Sequence, residues 1–398
     1  MQILKKIFGI LWKIALILAV VFAFVWFKTN KNLETSWRQL VKTGQEAVIP
    51  EKVLPAKQNP KIADFKWTYN KKNYTLAETL YGSIYDFYKA EPKEFVYEGE
   101  LPADWEEKYF GMFLQPFAGD DTIQSVARDI KSVGAKNKLT DNQLVELVVA
   151  FVQNIPYDSE KAKKILGNSH EKGLINYPYE TLYENKGVCS DKSFLTVLLL
   201  KELGYGTALF VYDDEKHMSV GVQCPVEYSS YGSGYCYTET TSVGNRIGMI
   251  PDLNSLNNQA EAVKELNYFD YSQADQFDVK KLGSVKIYQK TQGKVYSGVI
   301  QTMKISKDIE NLGRAIASAK KELVALKKEL DSDEAKLEDL GKKMNKLSKN
   351  EDYEEYNKLV PKYNNLLSEV KDEIKNYNKK VKAYNQKINT YNSLIKNF

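Results

Sequence analysis

Histidine is nearly absent from this chain, with two residues in 398, His170 and His217. A reaction that needs an imidazole base therefore has two candidates. His170 sits in a polar N-S-H-E-K-G loop with no thiol or acid around it, which leaves His217. Cysteine is as scarce, at three. Cys224 and Cys236 have too few ligand-type residues nearby to complete a tetrahedral zinc site, so no metal and no cofactor is expected. An excess of charge of one sign is missing too. Lys and Arg number 56 against 52 Asp and Glu, a net charge of +4, and no basic stretch is interleaved with aromatics. Nucleic acid is therefore not expected as a partner. Finally, no small-x-small cleavage site follows the apolar segment near the N-terminus, which ends in bulky V-F-A-F-V-W-F. That absence argues against a cleaved signal peptide.

The apolar segment itself, Ile7 to Phe27, is long enough to cross a bilayer, since ~20 residues span the hydrocarbon core. Lys13 lies toward its N-terminal end, where the side chain can snorkel to the surface shared by Lys5 and Lys6. Lys28 and Lys31 follow the span, so the charge rule barely chooses an orientation. The expectation is a signal anchor over residues 1–30 with the N-terminus cytoplasmic and the rest extracytoplasmic, then a linker over 31–62 carrying Pro50, Pro55 and Pro60. From residue 63 a folded region begins. F-K-W-T-Y-N-K-K-N-Y-T-L alternates around an N-K-K-N turn and predicts a hairpin. Leu76 to Tyr88 has helical spacing, with Leu80, Ile84 and Phe87 on one face. Helices are predicted over Thr122 to Val133 and Asp141 to Ile155, the second capped by Thr140 or Asp141.

The chemistry concentrates between Tyr177 and Thr241. There, G-V-C-S-D places Cys189 where a loop gives way to an apolar helix, Phe194 to Leu203, closed by Gly204 at the C′ position. A thiol at a helix N-terminus meets the positive end of the macrodipole, which favours the thiolate. His217 follows a D-D-E-K turn and opens an alternating strand. Glu239 ends the next strand beside Thr240 and Thr241. Thiol, imidazole and carboxylate in these settings make a nucleophile, a base and an orienter.

These segments, with F-V-Q-N-I-P-Y from Phe151, Y-P-Y-E-T-L from Tyr177, H-M-S-V-G-V and Y-T-E-T-T followed by I-G-M-I-P, resemble the transglutaminase-like superfamily. That superfamily includes bacterial cysteine proteases and peptide N-glycanases. The resemblance covers about residues 140–252. It implies a nucleophile helix packed on an antiparallel sheet and catalytic roles for Cys189, His217 and Glu239. Two residues depart from the family pattern: Glu239 stands where aspartate is usual, and Val188 precedes the cysteine where relatives are often polar. The resemblance also points to Gln153 as an oxyanion donor, since an amide NH₂ can bind developing negative charge. Its bland alternative is a helix-end glutamine facing water.

Cys224 and Cys236 lie almost symmetrically about a Ser/Tyr/Gly loop, so a hairpin brings them together as a disulfide and leaves Cys189 the odd thiol. Strands are predicted at S-V-K-I-Y and K-V-Y-S-G-V-I. Beyond them, apolar residues step by three and four from Ile305 to Leu347, and again from Tyr363 to Ile395. Such a/d spacing is the mark of a coiled coil. S-K-N-E-D between the arms, with Asn350 as N-cap, suggests an antiparallel hairpin over 303–398; a parallel dimer is the alternative.

The fold class expected is α+β: the resemblance implies a transglutaminase-like domain, expected over 63–300 between a membrane anchor and a helical hairpin. The function expected is a membrane-anchored extracytoplasmic thiol enzyme acting on amide or peptide bonds as protease, amidase or acyl transferase. Its partners are then a protein or peptide substrate, the bilayer through residues 7–27, and a protein on the coiled coil. The other reading is a catalytically silent surface scaffold that binds envelope proteins.

Overall fold

Alternation and turn chemistry set the first structured element. In the computed structural model, which describes residues 53–167, 174–251 and 283–398, strands β1 (Pro60–Tyr69) and β2 (Lys72–Tyr81) pair antiparallel with Tyr69 opposite Lys72. Asn70 and Lys71 make the two-residue turn with φ of 47° and 61°. Two successive positive φ values match the right-handed twist of a hairpin, and asparagine tolerates them best. Phe65, Trp67, Tyr74, Leu76 and Leu80 all face inward.

The helix expected over Leu76 to Tyr88 is therefore corrected. Its first half is β2, and the helix is α1 (Gly82–Ala90), which buries Ile84 and Tyr88 but leaves Phe87 half-buried. Leu76, Leu80 and Ile84 satisfy a period of four and a period of two alike. Burial of Glu78 between Leu76 and Leu80, and of Tyr74 before them, decides for the strand.

Five short helices lead to the centre of the domain: α2 (Trp105–Phe113), α3 (Thr122–Lys136), α4 (Asp141–Asn154), α5 (Ser159–Leu166) and α6 (Pro178–Glu184). Thr140 caps α4 through a reciprocal box with Gln143. Helix α7 (Cys189–Glu202) then runs through the core, with every residue from Asp191 to Leu200 buried. It has no polar stripe because both flanks are covered. One meets β3 (Thr207–Tyr212) and β4 (His217–Gln223), and the other meets α3, α4 and α6. Gly204, at φ +82°, ends α7; Tyr205 N–H reaches Leu200 O at 3.0 Å and Gly204 N–H reaches Lys201 O at 2.8 Å. Only glycine adopts that left-handed turn without cost.

The sheet is antiparallel throughout, in the order β5-β4-β3-β6, with β5 at Tyr235–Thr238 and β6 at Lys286–Tyr288. Cys236 of β5 lies opposite Val222, and Cys224 just past β4 is bonded to it across a Cα–Cα distance of 5.8 Å. Cys189 is the free cysteine. The strand expected at K-V-Y-S-G-V-I is a single bridge from Lys294 to Tyr205. Its apolar residues instead start a helical stripe, with Val299 buried as the first residue of α8 (Val299–Lys349) and Thr302 one turn on.

Helix α8 turns back into α9 (Tyr353–Asn397), and the two lie side by side. Gly341 faces the Tyr363 ring, and further from the turn Glu322 pairs with Lys380 at 2.5 Å. Partners thus recede together from the turn, which makes the pair antiparallel. Asn350 is not the N-cap of the second arm. It ends α8, Glu351 takes a φ of 58°, and Asp352 caps α9 by accepting from Glu355 N–H. The tighter turn moves the cap two residues along. The described residues within 55–116 and 120–398 belong to one compact unit.

Among the described residues no helix is long and apolar enough to cross a membrane. The span expected at 7–27, most of the linker, His170 and the stretch 252–282 lie outside the described residues.

Candidate active site

The site begins with a loop pinned before α7. Pro156 O accepts from Gly187 N–H at 3.1 Å, and Gly187 O accepts from Asp158 N–H at 3.2 Å, so the two chain segments run side by side. A Cβ on Gly187 would lie 3.0 Å from the Asp191 Cβ and 3.2 Å from a Thr181 methyl, which explains glycine two residues before the thiol. Asp191, fully buried in the first turn of α7, accepts from Val188 N–H (3.0 Å), Asn176 N–H (2.8 Å) and Lys161 Nζ (2.6 Å). The aspartate fixes the entry angle of the chain. Cys189 is thereby held as the first residue of the helix, half-exposed.

His217 opens β4 opposite Tyr212, on whose ring it stacks at 6.3 Å. Its Nε2 lies 3.0 Å from Glu239 Oε2. The Cys189 thiol is close enough to the imidazole to act on its charge. Glu239 follows β5 and is fully buried. Its Oε1 accepts from Thr240 N–H (2.9 Å), Thr241 N–H (2.8 Å) and Thr241 Oγ1 (2.6 Å), while Oε2 accepts from Tyr237 Oη at 2.5 Å. The extra methylene relative to aspartate lets the carboxylate reach the ring from beyond the strand end while its far oxygen stays in this cradle.

Charge follows from the geometry. Burial penalises the Glu239 carboxylate, but His217 and the hydroxyls of Thr241 and Tyr237 outweigh that penalty and hold its pKa below the usual range. Burial likewise opposes a charged imidazole. Against it, Glu239 and the Cys189 thiolate raise the His217 pKa above its ordinary value. The imidazole is thus set to hold a proton, backed by a buried carboxylate.

Gln153 is brought to the same region in a different role. Its Nε2 donates to the carbonyls of Glu239 and Asn245, both at 2.9 Å, and its Oε1 accepts from Gly244 N–H at 3.0 Å. Both amide hydrogens are committed and the residue is buried. It is therefore neither an oxyanion donor nor a water-facing helix end; it clasps the segment that carries Glu239. A phenol near the thiol, not singled out from the sequence, is Tyr157, 38% exposed. Partial burial and then the negative charge of Cys189 keep its phenol protonated. The I-P-Y run ahead of the nucleophile was the available signal. A cavity of about 640 Å³ lies elsewhere, lined by Tyr69, Glu146, Arg246 and Tyr296 among others and by none of Cys189, His217 or Glu239.

A family model described as a transglutaminase-like domain matches residues 122–230. The match spans Cys189 and His217 and stops short of Glu239. Neither a curated protein nor a solved structure matches the chain.

Proposed function

We propose that this protein is a thiol enzyme of transglutaminase-like type that acts on amide or peptide bonds through Cys189, His217 and Glu239. The observation that carries the reading is the fully buried Glu239 at 3.0 Å from His217 Nε2, with the free thiol at the start of α7 acting on the same imidazole. In the reaction, Cys189 Sγ attacks the carbonyl carbon. Tyr157 Oη and the first N–H groups of α7, which have no partner within the helix, receive the developing oxyanion. The C–N bond breaks as His217 gives its proton to the leaving amine, and a thioester remains. Water or an amine then attacks the thioester, His217 takes the proton of that acceptor, and the thiolate leaves. Water makes the enzyme a protease or amidase; an amine makes it a cross-linker.

The setting proposed is outside the cytoplasm, on a membrane anchor at residues 7–27, with a protein partner on the helical hairpin. The Cys224–Cys236 disulfide supports it, since such bonds persist in oxidising compartments. Protease added to intact cells should degrade residues beyond the anchor while a cytoplasmic marker survives; protection until lysis would count against this placement. The activity is tested by offering the full chain a panel of peptide amides, with and without a fluorescent alkylamine. Free carboxylic acid identifies a hydrolase and a fluorescent conjugate identifies a transferase. Neither product across the panel favours the silent scaffold.

A further inference from the structure

Lys192 is a buried cation that the reaction above leaves unused. It stands one turn after Cys189 on α7 and has no exposed surface. Its Nζ donates to two carbonyls, Ile155 O at 2.8 Å and Gln153 O at 3.1 Å. These belong to the last turn of α4 and its C-cap, where carbonyls lack helical partners and the macrodipole is negative. An isolated ammonium is costly to bury, and methionine or leucine would fill the same space without that cost. The negative groups that reach it are Glu239, from the segment after β5, and Cys189, from its own helix. His217 of β4 bonds Glu239, and the end of α4 presents the two carbonyls.

We propose that Lys192 is a positioning residue of this site, a built-in positive charge that holds Cys189 as a thiolate while tying α7 to the end of α4. The inference rests on the catalytic reading of Cys189. Burial lowers the lysine pKa to about 7, with Glu239 and Cys189 pulling it back up. The ammonium is therefore present below neutrality and lost as pH rises through that value. Its support for the thiolate belongs to the acid side, where a thiol otherwise keeps its proton. A pure cap for α4 has no such pH signature.

The test is the rate of iodoacetamide alkylation of Cys189 in the full chain at pH 6 and pH 9, located by mass spectrometry, with N-acetylcysteine as the reference thiol. Lys192→Met, close in volume, should slow the reaction about tenfold at pH 6 and leave it nearly unchanged at pH 9. If that variant does not fold, Lys192→Gln, which keeps a donor but no charge, takes the same measurement. A folded variant with the wild-type rate at pH 6, or one slowed equally at both pH values, overturns the role assigned to the charge. A wild-type rate at pH 6 no faster than N-acetylcysteine overturns the catalytic reading and this one with it. That outcome is visible in the wild type alone, so the two failures are distinguishable.

Discussion

Cys189→Ala should abolish amide-bond cleavage or transfer and all labelling by thiol reagents at this site, with the fold intact. Removing the nucleophile of a triad typically costs about 10⁵–10⁶ in kcat. The structural cost should be small, because Cys189 is half-exposed at the first position of α7 and the loop before it is held by Asp191, not by the sulfur. A stability loss of about 1 kcal/mol or less is expected for such a position. The two measurements are the turnover of whichever peptide amide the wild type accepts and a thermal melt of both proteins. Full turnover by the alanine variant would remove Cys189 from the mechanism.

Glu239→Gln should be the next most severe change, lowering kcat/KM by about 10³–10⁴. The amide is nearly isosteric, and its oxygen can still accept from Thr240 and Thr241 N–H. Its NH₂, however, then faces both His217 Nε2–H and Tyr237 Oη, where three donors meet. The imidazole must switch tautomer and turn a hydrogen toward the thiol. The pH dependence changes as well. In the wild type the raised His217 pKa keeps the imidazolium through its ordinary titration range, and the charge is lost only as pH climbs through the raised value. Without the carboxylate, burial remains and pushes the imidazole the other way. The alkaline limb of the pH–rate profile should therefore move to lower pH. On stability the sign is the reverse. Wild-type Glu239, depressed in the fold, stabilises above the ordinary carboxylate range and loses that contribution as acid protonates it, so the variant should lack part of the wild-type acid destabilisation. A kcat/KM within tenfold of wild type, or an unmoved alkaline limb, would remove Glu239 from its orienting role.

Much of the site was legible because local rules made it so. Gly187 and Cys189 announced a loop-to-helix junction, and Gly204 a left-handed stop. D-D-E-K and the alternation after it placed His217 at a strand start. What was not legible depends on contacts between distant segments. Gln153 could be assigned to helix α4 from its neighbours, yet nothing local says that its amide spans 86 positions to the Glu239 carbonyl. Asp191 reads as an ordinary first-turn acid until Asn176 and Lys161 arrive from two other segments. Lys192 looks like a polar break in an apolar run, because only the packed structure brings the carbonyls of α4 to it.

In the fold, the errors came from patterns with two valid periods. Leu76, Leu80 and Ile84 fit a helix stripe and a strand face equally, and burial of Tyr74 and Glu78 on the same strand face is a tertiary fact. Val295, Ser297 and Val299 alternate as a strand does, yet Val299 belongs to the buried stripe at the start of α8. Asn350 and Asp352 suit an N-cap equally by residue type, and the chain caps the second arm at Asp352.

The central claim is that the fold sets Cys189 in a pair with His217 and makes its thiolate reactive. The most direct measurement compares iodoacetamide alkylation of Cys189 at pH 6 in the wild type and in His217→Ala, each against N-acetylcysteine. The wild type should react at least tenfold faster than the free thiol, and His217→Ala should fall to the free thiol's rate or below it. Equal rates in the two proteins, or a wild type no faster than N-acetylcysteine, would contradict the account.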